Sequence, residues 1–301
     1  MKFTNNHGLP APLANALAGD SYSMGDADIS VTGIMSSPKI RILSQKLDAA
    51  LEVDVMDRIW SVFGTAIHNI LEAGATHEEG YLAEERITSE FNGWRVSGGI
   101  DVQHSKGGSL KIIDWKTTSA WAVVNEKPEW AEQLNIYRVL VERERGIKVD
   151  KLQIGAIIRD WSRRESTLKP DTYPQTPIVM IDIPLWPIEK AEAYINERVK
   201  IHQDAQRAFE WGEPLPDCTP AEMWERESKW AVKKPGLKRA HKVFDNERDA
   251  VQLAEEINGI VEHRPGERIR CDSYCAVSRW CSQYQDYKEM RDEAEPSASG
   301  F

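Results

Sequence analysis

The stretch from Ser97 to Thr118, SGGIDVQHSKGGSLKIIDWKTT, constrains this chain most. Two apolar runs flank Lys106-Gly107-Gly108-Ser109, so the segment predicts a β-hairpin over 94–103 and 110–117. With the turn centred between Gly107 and Gly108, Asp101 falls directly opposite Asp114. Opposed side chains have Cβ atoms about 4.5–5.5 Å apart, and like charges there repel. Asp114 also sits among Ile112, Ile113 and Trp115, a run that reads as a buried strand. Two carboxylates so placed either share a proton or hold a cation. Lys116, two residues on, shares the face of Asp114, and its cross-strand neighbour in this register is Gly99. Hard oxygen donors with an ammonium alongside suit Mg²⁺ or Mn²⁺. The same residues also fit a stabilising Asp–Lys–Asp ion cluster. A bulge at Gly98-Gly99 would turn the side chains over.

An earlier hairpin signal, Asn92-Gly93, joins 84–91 to 94–103 and places Glu84 opposite Asp101, where it reads either as a third carboxylate or as a solvated edge residue, the commoner case. Before it, Ile59, Trp60, Phe63, Ile67, Ile70 and Leu71 recur at helical spacing, predicting a helix over about 57–73. His68 lies on that helix one turn after Gly64, and the two share a face. It reads either as a site residue or as a hydrogen-bonded histidine beside the apolar stripe. Pro128 opens a second helix that ends before Gly146. Gln133 and Tyr137, four apart, share one face of it. Strands over 152–158 and 178–183 and a long helix from Pro187 to Gly212 complete an α/β core.

These motifs together resemble the PD-(D/E)XK nuclease superfamily, in particular its RecB/Cas4-like branch of phage-type exonucleases. The matching residues are Gly64-Thr65-Ala66-Ile67-His68, Gly98-Gly99-Ile100-Asp101, Asp114-Trp115-Lys116-Thr117 and Gln133-Leu134-Asn135-Ile136-Tyr137. Order and spacing fit over about 30–185. Ile29-Ser30-Val31-Thr32-Gly33 is similar to the segment preceding the helix in phage-encoded members. The resemblance implies a restriction-endonuclease-like mixed sheet flanked by helices and metal-dependent hydrolysis of DNA. By position, His68, Asp101, Asp114 and the backbone carbonyl of Trp115 would ligate Mg²⁺ or Mn²⁺. Lys116 would orient the attacking water or stabilise charge on the phosphate. Gln133 and Tyr137 would contact nucleic acid or brace the site. Ile100 stands where the family's proline is usual, and Trp115 fills the variable position of the DXK triplet.

From Pro214 the character changes. Residues 226–242, RESKWAVKKPGLKRAHK, hold seven Lys/Arg against one Glu. Trp230, Lys233 and Lys234 in this run are candidates to track a DNA backbone and stack a base, or the run is a solvated basic loop. Arg159, Arg163 and Arg164 beside Trp161 form a second candidate. Net charge is −10, which opposes indiscriminate coating of nucleic acid and leaves room for a local basic surface.

Cys271, Cys275 and Cys281 follow a C-x3-C-x5-C pattern, and Cys218 stands upstream before a capping box at Thr219. Four thiolates can hold a [4Fe–4S] cluster or a structural Zn²⁺, or remain free thiols. The three-plus-one spacing resembles the iron–sulfur clasp of Cas4 and AddB-type nucleases, although there the lone cysteine precedes the core. The expected organisation is a flexible leader over 1–27, a nuclease core over 28–213, a basic and cysteine-bearing subdomain over 214–290, and a disordered tail over 291–301. No run of eighteen apolar residues occurs, and Leu9–Asn15 cannot serve as the apolar stretch of a signal peptide. The expected setting is cytoplasmic, the host cytoplasm for a phage protein. The expected partners are DNA ends or single strands, with recombination or replication proteins.

Overall fold

The computed structural model describes residues 1–19, 25–75, 78–125 and 127–294, with side chains to Arg291. Its contacts divide into two units, one of residues 1–36 and 52–211, the other of 37–51 and 212 onward.

In chain order the elements begin with β1 (Lys2–Thr4), α1 (Ala11–Ala18), β2 (Ile29–Ser30), α2 (Val31–Met35) and α3 (Pro38–Lys46). Then come β3 (Glu52–Asp54), α4 (Ile59–Ala75), β4 (Tyr81–Phe91), β5 (Trp94–Lys106) and β6 (Ser109–Thr118). The first unit ends with α5 (Ala120–Val124), α6 (Pro128–Arg145), β7 (Val149–Ile158), α7 (Arg163–Leu168), β8 (Ile178–Ile183) and α8 (Ile188–Trp211).

The first unit is built on a six-stranded mixed sheet in the order β2-β5-β6-β7-β8, with β4 also paired to β5. The β4–β5–β6 meander is antiparallel, β6 and β7 are parallel, and β8 returns antiparallel. The two turns set the registers. Gly107 and Gly108 both take positive φ, which only glycine adopts without cost, and Val102 pairs with Ile113 through to Lys106 with Ser109. Asn92-Gly93 likewise pairs Phe91 with Trp94 and continues to Tyr81 with His104.

Helix α6 is the central packing element. Proline occupies its first turn, where no N–H is needed, and Gly146 ends it in the left-handed conformation. Leu134, Ile136, Val139, Leu140 and Val141 are all buried in one core with Ile100, Ile112, Leu152 and Ile154. Gly98 is where the sheet meets the helix. A Cβ there would stand 2.8 Å from the Tyr137 ring and 3.0 Å from Leu140.

On β7, Gly155 lies beside Trp115, and a Cβ would enter the indole ring. Gly155→Ala should therefore displace Trp115 and lower stability by about 1–3 kcal/mol. Urea denaturation of the variant checks this, and an unchanged midpoint would refute it.

The N-terminal segment departs from the expected leader. β1 pairs in parallel with β3, and Asp54 accepts hydrogen bonds from Thr4 Oγ1 (3.1 Å) and Asn6 N–H (2.7 Å). Pairing across some fifty residues leaves no local periodicity to read. The second unit also takes in 37–51, ahead of the expected boundary. The reason is chemical: Lys39 is buried and paired with Asp217 at 2.5 Å, and Ser37 Oγ lies 3.1 Å from Cys218 Sγ. Helix α12 (Ser282–Ala294) extends past 290, and the rest of the expected tail lies outside the described residues. No helix among the described residues is long and apolar enough to cross a membrane.

Candidate active site

The β5–β6 ladder stops at Val102–Ile113, and β6 continues from Asp114 to Thr118 paired only to β7. Asp101 and Asp114 stand at this fork. The Trp115 N–H, released from the ladder, donates instead to Asp101 Oδ2 at 2.7 Å. Because the ladder has ended, Lys116 has no cross-strand pairing with Gly99, which corrects the sequence-based expectation. Gly99 pairs with Arg86.

Asp114 is 1% exposed. Its Oδ2 accepts no hydrogen bond of good geometry, although Lys116 Nζ stands 2.6 Å away as its ion partner. Such a buried oxygen is costly unless a further positive group faces it. The Asp101 carboxyl is pushed up to about 8, first by burial and then by the charge of Asp114, against the pull of the Trp115 N–H and Lys116.

Helix α4 brings His68 to the same fork. Its Nε2 is 3.0 Å from the Trp115 carbonyl oxygen, and its Nδ1 is 3.6 Å from Asp101 Oδ2. Gly64, one turn earlier, faces the same strand: a Cβ there would meet Thr117 Oγ1 at 3.4 Å, an ordinary contact.

Glu84 also joins the site: it is exposed, as the edge reading expects, and still brings its carboxylate to His68 and Asp101. The β4–β5 register is unbroken on either side, Ala83 with Val102 and Glu85 with Ile100, but Glu84 and Asp101 themselves do not pair. Glu84 takes φ +50°, a left-handed conformation uncommon for a glutamate. Facing changes there too. Ile100 packs in the main core, whereas Val102, which alternation would put on the same face, packs with Ile113, Trp115 and Ala75. The distortion thus sits at Asp101 rather than at Gly98-Gly99. Donor atoms of His68, Glu84 and Asp101 lie within 4.8 Å of one another. The Glu84 carboxyl is raised above its ordinary value, chiefly by partial burial, with Glu72 and Asp114 adding to the rise and His68 opposing it. The sequence signal for this residue was the Asn92-Gly93 register; its left-handed backbone left none.

The donor set fits a hard divalent cation. Carboxylates, one imidazole and a backbone carbonyl converge there, and the single ammonium of Lys116 offsets only one of the neighbouring acids, leaving charge for a cation to balance.

Gln133 and Tyr137 are buried on α6, with Gln133 Nε2 donating to Tyr137 Oη at 2.8 Å. The Tyr137 ring lies against Gly98.

The second unit has α9 (Pro220–Met223), β9 (Glu225–Arg226), β10 (Lys229–Lys233), β11 (Lys242–Phe244), α10 (Glu247–Ile257), β12 (Ile260–Arg264), β13 (Glu267–Arg268) and α11 (Ile269–Ser273) ahead of α12. The basic run is a strand here, with β10 central between β11 and β12. Lys233 is ion-paired with Glu262 and Lys229 with Asp245. Trp230 is half-buried, packs on the cluster of Val232, Ala250 and Ala254, and tilts against His263 at 5.1 Å. These partners leave Trp230 and Lys233 only partly open to solvent, with acidic residues distant in sequence offsetting the charges of Lys229 and Lys233. Lys234 is exposed beyond the strand.

All four cysteines are free thiols lining one cleft of this unit. Burial raises the thiols of Cys218, Cys271 and Cys275, and Cys271, also beside the other three sulfurs, reaches about 11. Among the described residues no three cysteine sulfurs lie within 4.8 Å of one another, and the cleft has a volume of about 10 Å³, room for a water. This arrangement does not support the expected [4Fe–4S] cluster, nor the zinc alternative. Sequence spacing brought the sulfurs to one cleft and could not set the distances across it.

The family model of the PD-(D/E)XK nuclease superfamily matches residues 73–282, and the chain belongs to that superfamily. The match spans Glu84, Asp101, Asp114 and Lys116 and begins after His68. No curated protein matches the sequence. Among solved structures, the chain is similar to the crystal structure of SSO0001, at 15% identity over 63% of this chain and 84% of that one, with a TM-score of 0.45. It is also similar to the crystal structure named "Putative exonuclease" from Eubacterium rectale, at 12% identity over 67% of this chain and 73% of that one, with a TM-score of 0.33.

Proposed function

We infer that the protein is a divalent-metal-dependent deoxyribonuclease of the RecB/Cas4-like kind, an exonuclease acting on DNA ends or single strands. Recombination, repair or phage genome processing is the setting, in the cytoplasm of the cell or host, beside recombination or replication proteins. The observation that carries the reading is the fork at β5–β6, where one imidazole, three carboxylates and an amine meet.

His68, Asp101, Asp114, Glu84 and the Trp115 carbonyl would hold Mg²⁺ or Mn²⁺. A cation there lowers the pKa of water, orients the scissile phosphate and offsets its growing negative charge. The remaining work falls to the chain. The Trp115 N–H fixes the Asp101 carboxylate, and the Trp115 carbonyl fixes the His68 ring. Lys116, held by Asp114, presents an ammonium that hydrogen-bonds the attacking water and neutralises the phosphoryl oxygens. Gln133 and Tyr137 keep β5 seated on α6 through the contact at Gly98.

Purified protein should degrade labelled linear DNA with Mg²⁺ or Mn²⁺, stop with EDTA, and leave circular single strands intact. Degradation of circles would replace the exonuclease by an endonuclease. Binding of DNA ends without cleavage of any DNA form would leave a binding module.

A further inference from the structure

One face of α4 continues past the metal-site histidine. Trp60, Gly64 and His68 follow at four-residue spacing and share that face. His68 meets the Trp115 carbonyl, Gly64 meets Thr117, and Trp60 meets Arg159, whose backbone N–H is bonded to the Thr118 carbonyl at 2.9 Å. The helix therefore runs antiparallel to the free half of β6, with its first turn at the strand's carboxyl end. The Arg159 guanidinium lies 4.7 Å over the Trp60 ring, and Phe63 packs edge-on to that ring at 6.4 Å. Yet Trp60 remains 57% exposed.

A second exposed indole, Trp121, stands at the same strand end. It lies in the first turn of α5, whose Ala120 N–H donates to Asp160 Oδ1 at 2.7 Å, next to Arg159. Asp160 and Glu165 are acids in this patch, Glu165 ion-paired with Lys169, and Arg163 and Arg164 open α7 on the exposed surface. Exposed aromatic faces with arginines among them, on a chain of net charge −10, complement a strand that carries phosphates outside and unpaired bases within reach. Inside a duplex the base faces are stacked on one another, and only the terminal pair presents one.

We propose that Trp60 and Arg159 form a platform that stacks a base and holds a phosphate of single-stranded DNA leading into the His68–Asp101–Asp114 site. Eight helical residues separate Trp60 from His68, about 12 Å. That is on the order of two to three nucleotides of an unpaired strand. The proposal rests on the nuclease reading and adds the form of substrate, an unpaired strand.

The test is fluorescence anisotropy with labelled oligo-dT of twelve nucleotides, in Ca²⁺ buffer without Mg²⁺ or Mn²⁺. Trp60→Ala should weaken binding about tenfold, Trp60→Phe should keep most of it, and neither should alter binding of a duplex of equal length. Arg159→Gln should weaken binding and flatten its salt dependence. An abasic twelve-mer should bind wild type and Trp60→Ala equally. Equal oligo-dT affinity of wild type and Trp60→Ala overturns the proposal, as does an equal loss on the abasic strand. So does a change from dimer to monomer in sedimentation without any change in DNA binding, which would assign the face to a second copy of the chain. The two readings separate because binding is scored without cleavage. A wild type that degrades DNA yet binds as Trp60→Ala does sinks the platform alone. One that binds through Trp60 and never cleaves sinks the nuclease alone.

Discussion

Asp114→Asn and Lys116→Met should each slow metal-dependent DNA hydrolysis about a thousandfold, and they should do so by different routes. A thousandfold is about 4 kcal/mol of transition-state stabilisation, the upper part of the range for one preorganised donor. Asp114→Asn removes a ligand charge at a position that is 1% exposed and whose Oδ2 lacks a hydrogen bond. Mn²⁺ affinity, read by titration calorimetry, should fall along with the rate. The metal-free fold should hold or gain stability, because a buried charge is gone. Lys116→Met keeps the ligands and removes the ammonium 2.6 Å from Asp114. Mn²⁺ affinity should then hold or rise, and the rate alone should collapse. The metal-free fold should lose about 1–3 kcal/mol, since Asp114 is left buried without its counter-charge and the exposure of Lys116 moderates the cost. A Lys116→Met variant that loses metal and keeps its rate per bound ion would disprove the assigned division of roles.

The second large effect concerns pH. Asp101 has a pKa of about 8 in the folded, metal-free chain against an ordinary value of 3.8. Between those values the folded state keeps a proton that the unfolded chain gives up. Raising the pH across that window therefore favours unfolding, by at most about 1.4 kcal/mol per unit for one group. Urea denaturation in EDTA should show stability falling by about 2–4 kcal/mol from pH 5 to pH 8. Asp101→Asn should flatten the slope. Saturating Mn²⁺ should also remove it, since a cation replaces the proton as the offset to Asp114 and binds the native state only. Stability in EDTA that rises over this range, or a slope indifferent to Asp101→Asn, would refute the coupling of the two acids.

Turn chemistry made much of the fold legible. Gly107-Gly108 and Asn92-Gly93 require particular backbone angles, so each sets a hairpin register. Those registers predict Asp101 opposite Asp114 and Glu84 opposite Asp101. The β5–β6 ladder ends at Val102–Ile113, however, and the β4–β5 ladder skips Glu84 and Asp101, so neither cross-strand pair forms. Pro128 and Gly146 bounded α6 for the same reason. Less legible was the contribution of Glu84, which depends on a φ of +50° that its sequence neighbours do not demand. Nor did the apolar stripe of α4 reveal its setting. Its spacing specified a helix, but Ile59, Trp60, Phe63 and Ile70 are exposed in the structure. Periodicity reports which residues share a face and is silent on what covers that face.

Within the chain, local stereochemistry was enough to settle α4, α6 and α8, the meander and the acid–acid–lysine spacing, because those follow from neighbouring φ, ψ preferences. Long-range packing settled the rest: where the β5–β6 ladder forks, which acids neutralise the basic strand through Lys233–Glu262 and Lys229–Asp245, and how far apart four thiols stand in one cleft. Those outcomes are energies of contact between segments tens to hundreds of residues apart, and no window of sequence contains both partners.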